Sequence, residues 1–382
     1  MELATLSFTA RKGWSTSPFP ALDSPRTLVV VFGAARYMDD PAALRELRAA
    51  YPRAHWIGCS TSGEIHGTVL SDDSLTVAVA RFDVSDLASR SVSIEGAAQS
   101  FQAGRELGEA LARPDLRALF VLSDGLNVNG SELVRGLNSA VAESVVVTGG
   151  LAGDGERFQR TWVLDSTGPK DHEVSAVGLY GERIRVGHGS KGGWDKFGPA
   201  RRITRSADNV LHELDGRPAL ALYKEYLGER AKELPASALL YPLALTRRPG
   251  DPQVLVRTVL SVNEADQSMT FAGDVPEGSL AQLMRANFER LIEGASSAAL
   301  HTRSSAGELL QRSDVLSIAI SCVGRRLILG ERTEEEIEAA YAELPEGTRQ
   351  IGYYSYGELS PFGTGRCDLH NQTMTLTTIA ET

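Results

Sequence analysis

Three glycine-rich turns carry the residues whose types and spacing best suit chemistry. They read GCSTSGE from residue 58, GGLAGDG from residue 149 and YGE from residue 356. Each follows an apolar strand-like run, and small ligands of α/β proteins bind where such strands end. The predicted ligand-binding residues are Gly58, Cys59, Ser60, Thr61, Gly63, Glu64, Gly149, Gly150, Gly153, Asp154, Tyr356, Gly357 and Glu358.

The acidic residue of each turn has two predicted roles. Glu64 and Glu358 either hold a ligand amine or order their turns by accepting hydrogen bonds from backbone N–H groups. Asp154 either binds a ligand amine or holds its turn through local backbone hydrogen bonds. The first turn also has a purely structural interpretation, with no ligand.

An enzyme is the alternative function, with Cys59 or Ser60 as nucleophile on an acyl or amide substrate. The α/β-hydrolase turn has the pattern Gly-x-Ser-x-Gly, and the first turn is one residue longer. A Cys59 thiolate needs a base, and His66 is the nearby histidine in the sequence. The second turn is followed by a strand-like run and not by the helix that a dinucleotide fingerprint opens. We therefore predict no catalytic residues.

A second candidate region is the loop GHGSKGGWDKFGP, residues 187–199, which sets His188 and Trp194 among glycines. Such a loop can fold over a ligand, and a neutral imidazole suits a metal or a haem iron. A hydrogen-bonded structural role is the alternative for His188. Cys367 and His370 form a further Cys-x-x-His pair, but two ligands fall short of a zinc site.

The elements that position these residues are predicted to be strand–helix–strand units, repeated three times. The units pair a strand over 27–33 with a helix over 41–51, a strand over 119–122 with a helix over 130–142, and a strand over 315–322 with a helix over 334–342. A short strand over 327–329 is expected inside the third unit. The predicted fold class is α/β, with mixed sheets.

The region between the second and third units differs in pattern. It predicts a hairpin over 203–214, a helix from residue 218 and strands over 254–262 and 269–272. A long helix is expected to begin near residue 279, with an apolar stripe that packs on a sheet or is offered to a partner. The stripe consists of Leu280, Leu283, Met284, Leu291 and Ile292.

Composition excludes several classes of protein. The chain has 382 residues, 42% of them hydrophobic and 23% charged, which is typical of a globular protein of two domains. Its net charge of −10 opposes binding to nucleic acid. It has no apolar run of roughly 18 residues and no basic leader, so we expect no membrane insertion. Three cysteines fit the reducing cytoplasm.

Three arginine pairs are predicted to be solvated: Arg201-Arg202, Arg247-Arg248 and Arg325-Arg326.

At GCSTSGEI, GGLAGDG and YYSYGELSPFG, with the closing LHNQTMTLTTIAE, the sequence resembles the FIST family of bacterial sensory proteins. The motifs occur in the family's order and cover nearly the whole chain. The resemblance implies an N-terminal FIST portion over 1–207 and a C-terminal FIST portion over 208–382, facing each other across a candidate ligand cleft. FIST domains are proposed to bind small ligands, amino acids among them, and to signal to kinases, cyclase-like output domains or chemoreceptors.

FIST sequence fills this chain, which implies that it signals through a separate partner, such as a histidine kinase of a two-component system. The chain is similar to the stand-alone family members that sense nitric oxide with haem. Haem is thus the cofactor that the resemblance implies, with His188 as first and His370 as second candidate haem ligand. We expect a cytoplasmic sensor of haem-bound nitric oxide or of an amino-acid-like metabolite.

Overall fold

The fold consists of three strand–helix–strand units and an inserted region within the third. The structure is a computed structural model, and it describes residues 1–165, 167–234, 236–251, 253–306, 314–361 and 365–382. The mixed α/β class predicted from the sequence is confirmed.

The first two units follow one another along the chain. The first comprises β1 (Glu2–Thr9), β2 (Gly13–Trp14), β3 (Thr27–Ala34), α1 (Ala42–Ala50), β4 (His55–Thr61), β5 (Glu64–His66), β6 (Val69–Ser71) and β7 (Ser74–Arg81). The second comprises β8 (Asp86–Ser93), α2 (Ser100–Leu111), β9 (Leu116–Ser123), α3 (Gly130–Ala140), β10 (Val146–Leu151), β11 (Val163–Leu164), β12 (Pro169–Lys170) and β13 (Glu173–Tyr180).

The third unit begins with β14 (Ile184–Lys191) and is then interrupted by the inserted region. That region comprises β15 (Asp195–Lys196), β16 (Arg201–Ala207), β17 (Val210–Leu214), β18 (Arg217–Pro218), α4 (Ala219–Leu227), β19 (Leu243–Thr246), β20 (Leu255–Arg257), β21 (Val259–Asn263), β22 (Ser268–Phe271) and β23 (Leu280–Arg285). The unit resumes with α5 (Phe288–Ala306), β24 (Leu316–Cys322), α6 (Val323–Leu329), α7 (Thr333–Ala342), β25 (Arg349–Ser355), β26 (Gly357–Pro361), β27 (Cys367–His370) and β28 (Met374–Glu381).

Each unit builds one sheet with the same order of four strands. In the first sheet β4 and β3 are parallel, while β7 and β1 continue antiparallel. The second sheet repeats this order as β10-β9-β13-β8, and the third as β25-β24-β28-β14. The helix between the two parallel strands supplies the crossover that such a pair needs. The threefold repetition predicted from the sequence is therefore present in the fold.

The three sheets exchange strands in a cycle. After its second parallel strand, each unit passes a short hairpin to the sheet of another unit. Hairpin β5-β6 pairs with β25, β26-β27 pairs with β10, and β11-β12 pairs with β4. Each sheet is therefore completed by residues of a different unit, and the glycine-rich turns are the points at which the chain crosses.

A central apolar core lies between the three sheets. It contains Phe32 and Cys59 of the first unit, Phe120 of the second, and Ile320 and Tyr353 of the third, all at most 1% exposed. Burial of apolar surface is the main favourable contribution to folding, and this core draws on all three units. The inserted region has its own core, around Ile203, Tyr223 and Phe271.

Two predicted elements are wrong. The long helix expected from residue 279 is strand β23 followed by α5. Strand β23 pairs with β16 and β19, and burial alternates with period two over residues 280–283. The strand expected over 327–329 is the end of helix α6, since β24 is already paired on both edges, with β25 and β28. The predicted hairpin over 203–214 and the helix after Pro218 are confirmed. No helix in the described ranges has the length and apolar character needed to cross a bilayer.

Candidate functional site

The structure brings the three glycine-rich turns together. Ser60 accepts a hydrogen bond from Gly153 N at 2.9 Å, and the Ser62 hydroxyl accepts one from Gly155 N at 3.0 Å. The Tyr356 hydroxyl accepts a hydrogen bond from Asp154 N at 3.2 Å. All thirteen predicted ligand-binding residues are buried. Ligand binding at these turns stays a prediction.

Glu64 and Glu358 occupy equivalent places in their units. Glu64 accepts hydrogen bonds from the hydroxyl of Thr61 and from the backbone N–H and hydroxyl of Ser74, the latter two at 2.9 and 2.8 Å. Glu358 accepts from the Ser355 hydroxyl at 2.6 Å and from the N–H and hydroxyl of Thr373 at 3.2 and 2.9 Å. This geometry favours the turn-ordering role, because the bonds tie each turn to the next antiparallel strand.

Burial dominates the acidity of these two carboxyl groups. Glu64 is 2% exposed and Glu358 is fully buried. Burial raises the pKa of Glu64 to about 7 and the pKa of Glu358 to about 8, against the opposing effect of their hydroxyl donors. The pKa values of both groups therefore lie near neutral pH, far above the pKa of an exposed glutamate.

The Glu358→Gln variant should become more stable relative to the wild type as the pH rises from about 5 to 8. A raised folded-state pKa contributes stability while the carboxyl is protonated, and that contribution is lost as the pH rises through the folded pKa. The glutamine amide can replace the protonated carboxyl, because its N–H group can donate to Ser355 and its oxygen can accept from Thr373. Thermal unfolding of both proteins across this pH range measures the difference. A difference that stays constant with pH would contradict the assignment.

Asp154, in the second turn, has different partners. Its carboxylate accepts hydrogen bonds from the Tyr356 hydroxyl and from the backbone N–H groups of Phe158, Gln159 and Arg160, the last three at 2.8–2.9 Å. Burial would raise its pKa, but these donors outweigh burial and hold the pKa of Asp154 below its usual value. Asp154 thus orders the loop after the turn.

The two nucleophiles of the enzyme alternative lie inside the protein. Cys59 and Ser60 are both 0% exposed. Burial raises the pKa of the Cys59 thiol, which opposes formation of the reactive thiolate. The Ser60 hydroxyl accepts a hydrogen bond from Trp162 N at 3.0 Å. His66, the base considered for Cys59, bonds with its Nδ1 to the Thr76 hydroxyl at 3.0 Å. This geometry does not favour nucleophilic catalysis.

A cavity of about 730 Å³ lies between the third unit and the inserted region. Sites for small molecules typically measure roughly 300–1,000 Å³. Strand β14 and helix α5 form one side, and residues of β20 and β23 face them. The apolar part of the wall consists of Trp194, Val254, Val256, Met284 and Pro361.

Both histidines singled out in the sequence line this cavity. His188 lies on β14 and is partly exposed. Burial and the nearby His301 lower the pKa of His188, which favours the neutral imidazole. His370 is 4% exposed, and its Nε2 lies 3.0 Å from the carbonyl oxygen of Ser360. His188 is therefore the more accessible of the two to a ligand.

Several lining residues were missed from the sequence. His301, Ser297 and Arg290 lie on α5, and Lys191 and Lys196 lie on β14 and β15. The signal on α5 was a polar or small residue every three or four positions, which places these residues on one helix face. Within the described ranges, no group of three or more His, Cys, Asp or Glu side chains is arranged to hold a bare metal ion. The Cys367–His370 pair is thus not part of such a cluster.

A buried ion pair stands behind the cavity wall. Arg325 and Glu336 are both 0% exposed, and Arg325 Nη2 lies 2.6 Å from the Glu336 carboxylate. Arg325 also donates to the carbonyl oxygens of Gly192, which lines the cavity, and of Leu291, on α5. The prediction that Arg325 is solvated is wrong, because this side chain satisfies carbonyl groups that water cannot reach.

The chain is a mixed α/β protein with a candidate ligand site. Its three sheets exchange strands around a shared core, and it has a cavity of the size that small molecules occupy. Family models narrow this class. The FIST N domain matches residues 27–217 and the FIST C domain matches residues 219–361. The chain belongs to the FIST family, whose domains are generally associated with signal transduction and small-ligand sensing. No curated protein matches the chain.

The two matched segments are interwoven in the structure. The third sheet combines β5, β6 and β14 from the FIST N segment with β24 and β25 from the FIST C segment. Strand β28 completes that sheet beyond the FIST C match. The boundary predicted at residues 207/208 lies in the turn between β16 and β17.

Proposed function

We propose that this chain is a cytoplasmic sensor whose ligand binds in the cavity beside β14 and α5, and that it regulates a separate histidine kinase. The observation that carries the proposal is the cavity itself, which is of ligand size and is lined by both His188 and His370. Membership of the FIST family, a family of sensory domains, supports the general role. The three cysteines are free and buried, in keeping with a reducing compartment.

Haem is the proposed ligand, and the lining residues fit it. A haem needs an axial donor, apolar surface for its ring and cationic groups for its carboxylates. The cavity offers the His188 imidazole, the indole of Trp194 with neighbouring aliphatic side chains, and the ammonium groups of Lys191 and Lys196. When bound, haem would supply an iron centre that takes up nitric oxide. An amino-acid-like metabolite is the other proposed ligand.

Two hydrogen-bonded connections support transmission of ligand binding to the rest of the fold. Thr373 lines the cavity, and its hydroxyl donates a hydrogen bond to Glu358. The third glycine-rich turn, which contains Glu358, is therefore in direct contact with a lining residue. Gly192 lines the cavity and accepts a hydrogen bond from Arg325, which pairs with Glu336 on α7. A ligand that displaces either lining residue would act on these buried carboxylates directly.

The His188→Ala variant should lose or shift the Soret band that haemin gives with the wild-type protein. Its matched control is His212→Ala, on β17 of the inserted region, which should leave the spectrum unchanged. Titration with haemin, followed by reduction and exposure to nitric oxide, measures both. The His370→Ala spectrum is interpreted together with thermal unfolding, because that ring is buried.

An unchanged spectrum in His188→Ala would remove this residue as a ligand. If wild-type protein gives no saturable Soret band, the haem proposal fails, and a thermal-shift panel of amino acids then tests the metabolite. For the partner, autophosphorylation of a purified histidine kinase is measured with and without the ligand-loaded protein. Equal rates would refute regulation of that kinase.

A further inference from the structure

The mouth of the cavity is positively charged, although the protein as a whole is acidic. Three basic residues line it: Lys191, Lys196 and Arg290. Among the lining residues that the structure describes, Glu293 is the acidic one. Arg290 is paired with Asp195 at 2.9 Å. Neither lysine has an ion-pair partner within the described ranges. In a chain of net charge −10, two unpaired lysines at one opening favour a negatively charged ligand.

Arg257 is a buried cation next in sequence to the lining residue Val256. It is 2% exposed and donates to the backbone oxygens of Asp274, Val256 and Leu369 at 2.9, 3.2 and 3.0 Å. Among the described residues no carboxylate lies within ion-pair distance of it, and Asp368 and Asp274 act on it only through space. A buried charge is costly without a counter-charge, and the acidic groups that act on Arg257 lie beyond ion-pair distance.

The rest of the cavity suits a flat apolar body. Trp194 is 7% exposed, and its indole nitrogen donates to Gln372 O at 2.8 Å, which fixes the orientation of the ring. Met284 and Val256 are 4% and 7% exposed beside it. Strand β14 and α5 are in close contact, since a Cβ added at Gly189 would stand 2.0 Å from Ala298 O. This side of the site is therefore formed before a ligand arrives.

We propose that the cavity recognises an amphipathic organic anion, with an apolar ring system against Trp194, Val256 and Met284 and its carboxylates at Lys191 and Lys196. This inference rests on the proposed function in placing the ligand in this cavity, but it does not require iron. A haem and a metal-free aromatic carboxylate share this chemistry. The site would discriminate by charge and shape, and any iron ligation by His188 would be additional.

Binding of iron-free protoporphyrin IX, followed by its fluorescence, separates the anion inference from haem ligation. The double variant Lys191→Ala/Lys196→Ala should weaken its affinity roughly tenfold, as expected for loss of two exposed ion pairs. The double variant Lys12→Ala/Lys232→Ala removes the same charge away from the cavity and should bind like the wild type. Raising the salt concentration should weaken binding to the wild type more than to the cavity variant. The dimethyl ester, which lacks the charges, should bind all three proteins equally.

Each outcome has a distinct meaning. Equal affinity of the cavity variant and the wild type for protoporphyrin IX overturns the anion inference, even if haemin still gives a Soret band that depends on His188. Lysine-dependent binding of protoporphyrin IX, with a haemin spectrum that is insensitive to His188→Ala, supports the anion inference and rejects the proposed haem ligand. If neither haemin nor protoporphyrin IX binds saturably, the inference that the cavity recognises an aromatic ring system with two carboxylates is rejected.

Discussion

Replacing Glu336 by alanine should lower the free energy of unfolding by about 3–5 kcal/mol, the cost of removing one partner of a buried ion pair. Arg325 would remain fully buried with its charge uncompensated. Two further donors would lose their acceptor, because the Ser321 and Tyr354 hydroxyls bond to the other Glu336 oxygen at 2.9 and 2.7 Å. Chemical denaturation followed by circular dichroism measures the change.

The same helix provides a matched control. Arg332 and Glu335 form an exposed ion pair at 2.7 Å, beside the start of α7. Because exposed pairs contribute about 0–1 kcal/mol, Glu335→Ala should have a small effect. The double variant Arg325→Met/Glu336→Leu should be less destabilised than the sum of the two single variants, since it leaves no unpaired charge. If Glu336→Ala and Glu335→Ala lower the free energy of unfolding equally, the buried pair contributes no more to stability than the exposed pair.

Local patterns predicted the repeated units well, because each helix has an apolar face that repeats every three or four residues. Leu44 and Leu47 of α1 are both buried as that spacing requires. The exchange of strands could not be predicted in this way. Hairpin β5-β6 pairs with β25, almost three hundred residues further along the chain, and nothing in the short sequence Glu64–His66 distinguishes that edge from a nearer one.

The candidate site was only partly predictable for a related reason. His188 was found because a histidine among glycines is unusual, and it does line the cavity. The rest of the lining comes from β20, β23 and α5, whose lining residues look like ordinary surface or core residues in sequence. Arg325 illustrates the limit, since the same dipeptide places Arg325 wholly inside and leaves Arg326 paired with Asp72 at the surface.

Deleting the inserted region should leave a folded protein, whereas ending the chain after the FIST N segment should not. Residues 196–286 can be replaced by a short Gly/Ser linker, because the Asp195 carboxylate lies 3.4 Å from the Asn287 amide. The deletion keeps all three sheets and the central core. Leu291 and Leu329 would lose apolar contacts with the inserted region, so we expect a lower melting temperature but cooperative unfolding.

The fragment of residues 1–217 should show no cooperative transition, although it contains the whole FIST N match. It lacks β26-β27, which complete the second sheet, and β25, to which its own β5-β6 hairpin pairs. It also lacks Ile320 and Tyr353, so the central core would be exposed on one side.

Thermal unfolding of both shortened proteins, followed by circular dichroism, measures this contrast. Haemin titration of the deletion variant should show lost binding, because Val256 and Met284 are removed. A cooperative transition in the fragment would mean that the strand exchange is not required for folding, and an unfolded deletion would mean that the inserted region is integral to the core.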